Sequence, residues 1–341
     1  MPEPSAKKIY NFDKFWQFCP VSRPTKETVK TALFSLFPIF FRNWVVYDNW
    51  NSARVFWPEG YSLFSRRFFA DLRRQNSIIG LPVKRATKNK SNPAIRLAVV
   101  IHAFYPEVFS EILGKITFTS GMGLFITTTA DQYEQVNALI VNLPVPCHIE
   151  IVENRGRDIF PFLYLLPFIE KGGYDVVLKL HTKKSNHLNR KELWRHDLVD
   201  KLTGGNALPR WCRIFQTHPE IGIIGPAGHI LPMQLYYGAN AQVVRALAEK
   251  MGIHPRKLKG LCFAAGSMFY ARMEVLKPIL ALGLKKEMFE EENAQVDGTL
   301  AHAVERAFSL GLLVTQTILA DTGFNEDDPC LTVNRNHYFT V

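Results

Sequence analysis

From residue 96 onward, short apolar runs rich in β-branched residues alternate with stretches of helical periodicity. Residues 96–102 (RLAVVIH) read as a buried strand, because the run holds no alternation of polar positions. Residues 106–116 follow as a helix and 123–129 (GLFITTT) as a second strand. Asp131 is placed to cap a helix over 132–141, and residues 148–152 (HIEIV) form a third strand. A loop over 153–158 leads into an apolar helix over 159–169 that Gly172 and Gly173 stop, and 174–181 (YDVVLKLH) is a fourth strand. Helices are predicted around 193–202 and 209–217, a strand at 221–225 (IGIIG), and a helix over 239–251. A strand over 261–270 with Gly266 inside it, a helix over 298–308 and a late strand at 312–318 complete the pattern. Strands and helices alternating through short connections imply βαβ units and a mostly parallel α/β sheet flanked by helices. Ligands in such sheets bind beyond the carboxyl ends of the strands. Here those ends lie near residues 102–105, 127–131, 153–158 and 181–185.

Residues 1–92 have a different texture, dense in Phe, Trp and Tyr and followed by a basic stretch from Arg66 to Lys90. Two readings fit: a helical appendage with its own aromatic core, or a peripheral segment whose aromatics enter a membrane interface above anionic headgroups. Residues 85–92, ending at Pro93, read as a linker, which divides the chain into an appendage (1–92) and a main domain (93–341).

Composition narrows the function. The chain has 341 residues and a formal charge of +10, from 41 Lys and Arg against 31 Asp and Glu. That balance favours an anionic partner, and without a helix-turn-helix, zinc-finger or RNA-binding signature no nucleic acid is expected. The five cysteines are scattered and odd in number, which argues against a disulfide framework or a zinc site and for a reducing compartment. No secretory signal is visible, and the most apolar run, 32–41, is interrupted by Pro38 and too short to span a bilayer. The expectation is a cytoplasmic protein, at the inner face of the cytoplasmic membrane if the aromatic segment binds lipid.

Four clusters carry the candidate chemistry: Asn154-Arg155-Gly156-Arg157-Asp158, His181-Thr182-Lys183-Lys184-Ser185, Ala265-Gly266-Ser267-Met268-Phe269-Tyr270, and Asp297-Gly298-Thr299-Leu300-Ala301-His302 followed by Glu305-Arg306. In this order they resemble the rhamnan synthesis protein F family of bacterial polysaccharide-assembly proteins, over about residues 96–310. The resemblance implies a GT-A-like glycosyltransferase domain. It would move a sugar, rhamnose being one candidate, from a nucleotide-sugar donor to a glycan or lipid-linked glycan acceptor in surface-polysaccharide synthesis. The alternative is a non-catalytic carbohydrate- or nucleotide-binding component of an assembly complex.

Within that reading, Arg155, Arg157, Lys183 and Lys184 follow two strands and would stabilise the diphosphate as its charge grows. Asp158 either accepts from the nucleotide or caps the next helix, and His181 either donates to phosphate or sugar or is a hydrogen-bonded edge residue. Gly266 and Ser267 would let backbone approach a sugar, or mark a bulge. His302 and Arg306 lie near the acceptor side. Asp297, just before a late helix, is the candidate general base of an inverting transfer, with helix capping as its rival role and Glu291 and Glu292 as weaker alternatives. With Leu300 at the third helical position, no capping box is expected there. GT-A enzymes commonly hold a divalent ion with an Asp-x-Asp pair after the fourth strand. This chain has Lys183 and Lys184 there instead, so no metal or other cofactor is predicted. The acidic cluster Glu326-Asp327-Asp328 reads as a solvated tail.

Overall fold

The computed structural model describes residues 23–42, 44, 46, 47, 50, 51, 94–183, 191–258, 260–293, 295 and 297–324. Lys184 and the acidic cluster at 326–328 lie outside the described residues. In the N-terminal region, helix α1 (Arg23–Leu36) is followed at once by the short α2 (Pro38–Phe41). Phe34 is fully buried there among the rings of Phe41, Tyr47 and Trp50, at centroid separations of 4.8–5.5 Å. Part of the aromatic content therefore forms a local core.

The main domain is built on β1 (Leu97–His102), α3 (Pro106–Gly114), β2 (Met122–Thr128), α4 (Tyr133–Ala138), β3 (Cys147–Ile151), α5 (Ile159–Lys171) and β4 (Val176–His181). After them come α6 (Lys191–Thr203), α7 (Ala207–Thr217), β5 (Ile221–Gly225), β6 (Ile230–Pro232), α8 (Met233–Tyr236), α9 (Ala241–Lys250), β7 (Cys262–Ala264), β8 (Phe269–Arg272), α10 (Met273–Leu280), α11 (Leu300–Ala307), α12 (Leu310–Thr315) and β9 (Ile318–Asp321). Seven strands form one sheet in the order β3-β2-β1-β4-β8-β5-β9. All are parallel except β8, which runs antiparallel between β4 and β5.

Side chains alternate across the sheet. Ala98, Val100, Val177 and Phe269 face α5, α9, α10, α11 and α12, while Leu97, Val99, Ile101, Leu178 and Tyr270 face α3, α4, α6 and α7. The result is a three-layered, mostly parallel α/β domain of Rossmann-like type. Strand order reverses at β1, whose neighbours are β2 and β4, so the crevice for a ligand opens beyond the carboxyl ends of β1 and β4. Thr182 ties the two ends together: its hydroxyl oxygen accepts from the Phe104 and Tyr105 amides at 2.9 Å each and donates to the His102 carbonyl.

The observed elements correct four expectations. The single strand over 261–270 is two strands: β7 pairs with β6 in a separate two-stranded sheet, and β8 joins the main sheet. The chain turns between them at Gly266 and Ser267, whose φ angles are +86° and +58°. The apolar run over 312–318 is mostly helix. α12 ends where Gln316 adopts a left-handed conformation (φ 56°), and β9 begins two residues later. Asp131 does not cap α4, whose N-cap is Gln132 with no side-chain bond. Finally, α11 starts at Leu300 and is capped by Thr299, whose Oγ1 accepts from the His302 amide, so Asp297 is not its cap.

Candidate functional site

Positions 177, 179 and 181 of β4 share one face of the sheet. Val177 is ordinary core there, but the next two positions carry Lys179 and His181, 1% and 3% exposed. A lysine this deep must satisfy three N–H donors. Its Nζ donates to Asp158 Oδ2 at 2.6 Å, and to the carbonyl and hydroxyl oxygens of Ser267 at 2.8 Å each. Asp158 sits at the start of α5, yet its side chain makes no capping bond; it faces the ammonium instead. Burial alone would raise the Asp158 carboxyl, but Lys179, with His181 and Lys183 behind it, outweighs that and holds it well below the usual carboxylate range.

The turn at Gly266–Ser267 is gripped from three sides. Besides Lys179 on Ser267, His181 Nε2 donates to the Gly266 carbonyl at 2.9 Å, and the Gly266 amide donates to Glu305 Oε1 at 2.8 Å. His181 Nδ1 accepts from the Lys183 amide at 3.2 Å, which assigns the ring as the neutral Nε2–H tautomer. Burial lowers its pKa to about 4, consistent with that form. A Cβ at residue 266 would lie 2.7 Å from the Trp194 ring, so glycine is required by space as well as by φ.

Arg157 holds a left-handed conformation (φ 59°) that turns its guanidinium toward the 289–297 loop. Its Nε and Nη2 meet the two oxygens of Glu292 at 3.0 and 3.3 Å, Nη2 also reaches the Gln295 carbonyl at 2.6 Å, and Nη1 donates to His302 Nε2 at 2.7 Å. Since a guanidinium only donates, His302 accepts at Nε2 and bonds Thr299 Oγ1 through Nδ1. Burial, then Arg157, lower the His302 pKa to about 4. Lys183, partly exposed, is shifted down by burial despite the nearby Asp158.

These groups enclose a cavity of about 210 Å³ lined by Arg157, Asp158, His181, Lys183, Trp194, Gly266, Ser267, His302 and Glu305, with Ile159 and Ala301 as apolar wall. Seven of the residues singled out from sequence therefore meet around one space, delivered by the β3–α5 loop, the end of β4, the β7–β8 turn and α11. Three others do not line it. Arg155 donates to the Phe289 carbonyl at 2.7 Å and anchors the 289–297 loop. Arg306 bonds the Tyr236 and His302 carbonyls. Asp297 accepts from the Ala239 amide at 3.0 Å and from Asn240 Nδ2 at 2.5 Å, holding the turn that starts α9; Arg306 and these donors outweigh its desolvation and keep its pKa low. A larger open groove of about 670 Å³ beside α7, lined by Lys201, Arg210, Trp211 and Arg213, contains none of the singled-out residues.

Sequence reasoning missed Lys179, Trp194 and the central place of Glu305. Lys179 had a signal, a charge on the core face of an otherwise apolar strand. Glu305 is the cavity carboxylate whose pKa is raised, by burial first, with Arg306 acting against it. Near the end of β4 the Lys179 ammonium occupies one side of the Asp158 carboxylate at 2.6 Å. Among the described residues no group of three His, Cys, Asp or Glu is arranged to hold a metal.

Against known proteins, the family model described as rhamnan synthesis protein F matches residues 70–315, which takes in the whole cavity. The chain is also 38% identical over 220 residues, 64% of its length, to the uncharacterized protein WxcX of Xanthomonas campestris pv. campestris strain B100, and equally to WxcX of a second strain of that pathovar. It spans only 31% of the length of those relatives. A match over most of the chain, including every segment that forms the cavity, shows that the chain belongs to the rhamnan synthesis protein F family.

Proposed function

We propose that this chain is a glycosyltransferase that moves a sugar from a nucleotide-sugar donor onto a growing bacterial surface polysaccharide, in the cavity at the end of β4. Family membership supports a part in polysaccharide synthesis. The observation that carries the reading further is that one cavity holds preplaced cations, Arg157 and Lys183, together with a carboxylate, Glu305, whose pKa is pushed opposite to that of Asp158. Carboxylates driven apart by their surroundings mark the division of labour in acid–base catalysis.

In this mechanism Arg157 and Lys183 meet the donor's diphosphate and stabilise the charge that accumulates as the glycosidic bond to phosphate breaks. Lys179 and Asp158 are a fixed base beneath them, holding the Gly266–Ser267 turn in place. Glu305 takes the proton from the acceptor hydroxyl as that oxygen attacks the anomeric carbon, and the nucleoside diphosphate leaves on the opposite face, giving inversion. The cavity is smaller than the roughly 300–1,000 Å³ usual for a whole ligand site, so only the reacting sugar and phosphates occupy it. No metal ion is needed where ammonium and guanidinium groups stand at the diphosphate. Asp297, with both oxygens engaged on the α9 turn, acts as a positioning residue.

Calorimetric titration with a panel of nucleoside diphosphates and nucleotide-sugars tests this reading. A nucleotide-sugar should bind, and Lys183→Ala should weaken it by about 1.5–3 kcal/mol, the size of a charge-assisted phosphate contact. Absence of binding across the panel, or unchanged affinity in the variant, would contradict it.

A further inference from the structure

The formal charge of +10 is not spread along the chain. Residues 1–92 contain 16 Lys and Arg against 6 Asp and Glu, whereas residues 93–341 contain 25 of each. The domain that carries the cavity is thus neutral overall, and its local cations are balanced by neighbours such as Glu292 and Asp158. The excess positive charge belongs to the N-terminal segment, which also holds 18 of the chain's 42 aromatic residues.

The described part of that segment sorts its apolar side chains into two sets. Phe34 and Trp50 are buried, at 0% and 6% exposed, and the Trp50 indole donates to Thr31 Oγ1 at 3.1 Å. At the junction of α1 and α2 the opposite holds. Leu36, Phe37, Ile39 and Phe40 are 58%, 49%, 73% and 75% exposed. Pro38 breaks the helix in the middle of this group, so four large apolar side chains crowd a tight bend rather than a long stripe. No charged residue interrupts positions 31–41, and Arg42 follows immediately. Exposed apolar side chains this dense mark a contact surface.

We propose that this bend is a membrane-docking element, with Leu36, Phe37, Ile39 and Phe40 inserting shallowly into the interface of an anionic bilayer while Arg42, which follows the bend, meets the headgroups and the basic composition of 1–92 favours an anionic surface. Charge complementarity selects the partner: an anionic lipid surface rewards both the apolar bend and the localised +10. Among the described residues no helix is long and apolar enough to cross a membrane, and the contact proposed is a peripheral one. The inference stands apart from the reading of the cavity, since none of its residues line it.

Co-sedimentation of the full chain with phosphatidylcholine vesicles, with and without phosphatidylglycerol, tests it. The chain should pellet with the anionic vesicles, should do so weakly with the neutral ones, and should be released as salt rises to about 0.5 M. The double variant Ile39→Ser/Phe40→Ser removes two side chains that are already exposed, so its circular dichroism should match wild type while partitioning falls at least roughly tenfold. The arginines and lysines remain in that variant, so the loss would report insertion rather than charge. Equal partitioning of variant and wild type, or no preference for anionic vesicles, would overturn the proposal.

Discussion

Lys179 and Asp158 form an ion pair of 2.6 Å inside the main domain, with side chains 1% and 7% exposed. Each is buried only because the other is present. The pair joins the middle of β4 to the start of α5, and through Ser267 to the turn that leads into β8.

Removing one partner should therefore be costly. Lys179→Met leaves the Asp158 carboxylate buried without its cation, a loss of about 3–5 kcal/mol. Lys179→Met/Asp158→Leu, which removes both charges, should recover much of it. The urea midpoints of the three proteins check this. A single variant as stable as wild type would show that the pair is not the anchor of this corner.

Acid should weaken the fold before Asp158 titrates, with the Glu305 carboxyl, raised by burial, opposing it in part. His102, His181 and His302 have folded-state pKa values of about 4, lowered from 6.5 chiefly by burial. Groups kept neutral in the fold but protonated in the unfolded chain cost stability as pH falls below 6.5, by up to about 1.4 kcal/mol per pH unit each, until the folded pKa is reached. Asp158 shifts the other way, so its contribution is present above the unfolded carboxylate pKa and is lost only at lower pH, outside this window. Denaturation curves between pH 7 and 4.5 should show the decline. A flat profile would mean these rings are not held neutral.

How much of this was legible in the sequence depended on the kind of signal. β1 to β4 were readable because uninterrupted β-branched runs between turn residues leave little choice. The run over 312–318 is equally apolar but belongs to a helix end and a strand start, divided by Gln316 in a left-handed conformation that no local pattern announces. Gly266 was noticed, yet read inside one strand. Its role as a turn between two sheets depends on the partners that grip it, His181 and Glu305, which lie 85 and 39 residues away. The same distance hid the hydrogen-bond partners of Asp297, Ala239 and Asn240, which are nearly 60 residues upstream. Clusters of unusual residues could be found in the chain; which of them share a space was decided by packing.

Glu292 places a carboxylate on Arg157 in the forked geometry that a phosphate would use. Under the proposed function, donor binding must displace it. Glu292→Gln should raise affinity for nucleoside diphosphates severalfold, measured by calorimetry, because the competing charge is gone. Weaker binding in that variant would assign Glu292 to orienting Arg157 instead.

The Gly266 turn offers a separate check on the cavity wall. In Gly266→Ala the new methyl would collide with Trp194 and Leu198 and strain a φ of +86°. Trp194 fluorescence should shift and nucleotide-sugar affinity should drop, while the far-ultraviolet circular dichroism stays that of the α/β fold. Unchanged affinity would detach the turn from the binding site.

Transfer turnover in Glu305→Gln, set beside Asp297→Asn, tests the central claim most directly. Gln keeps the size of Glu305 and can still accept the Gly266 amide through its carbonyl oxygen, but it cannot take a proton. With a nucleotide-sugar that the wild type turns over, Glu305→Gln should lose roughly 10²–10⁴-fold in turnover with donor affinity close to wild type, and Asp297→Asn should lose far less. Near-wild-type turnover in a folded Glu305→Gln protein, with a large loss in Asp297→Asn, would contradict the account and return the proton transfer to Asp297.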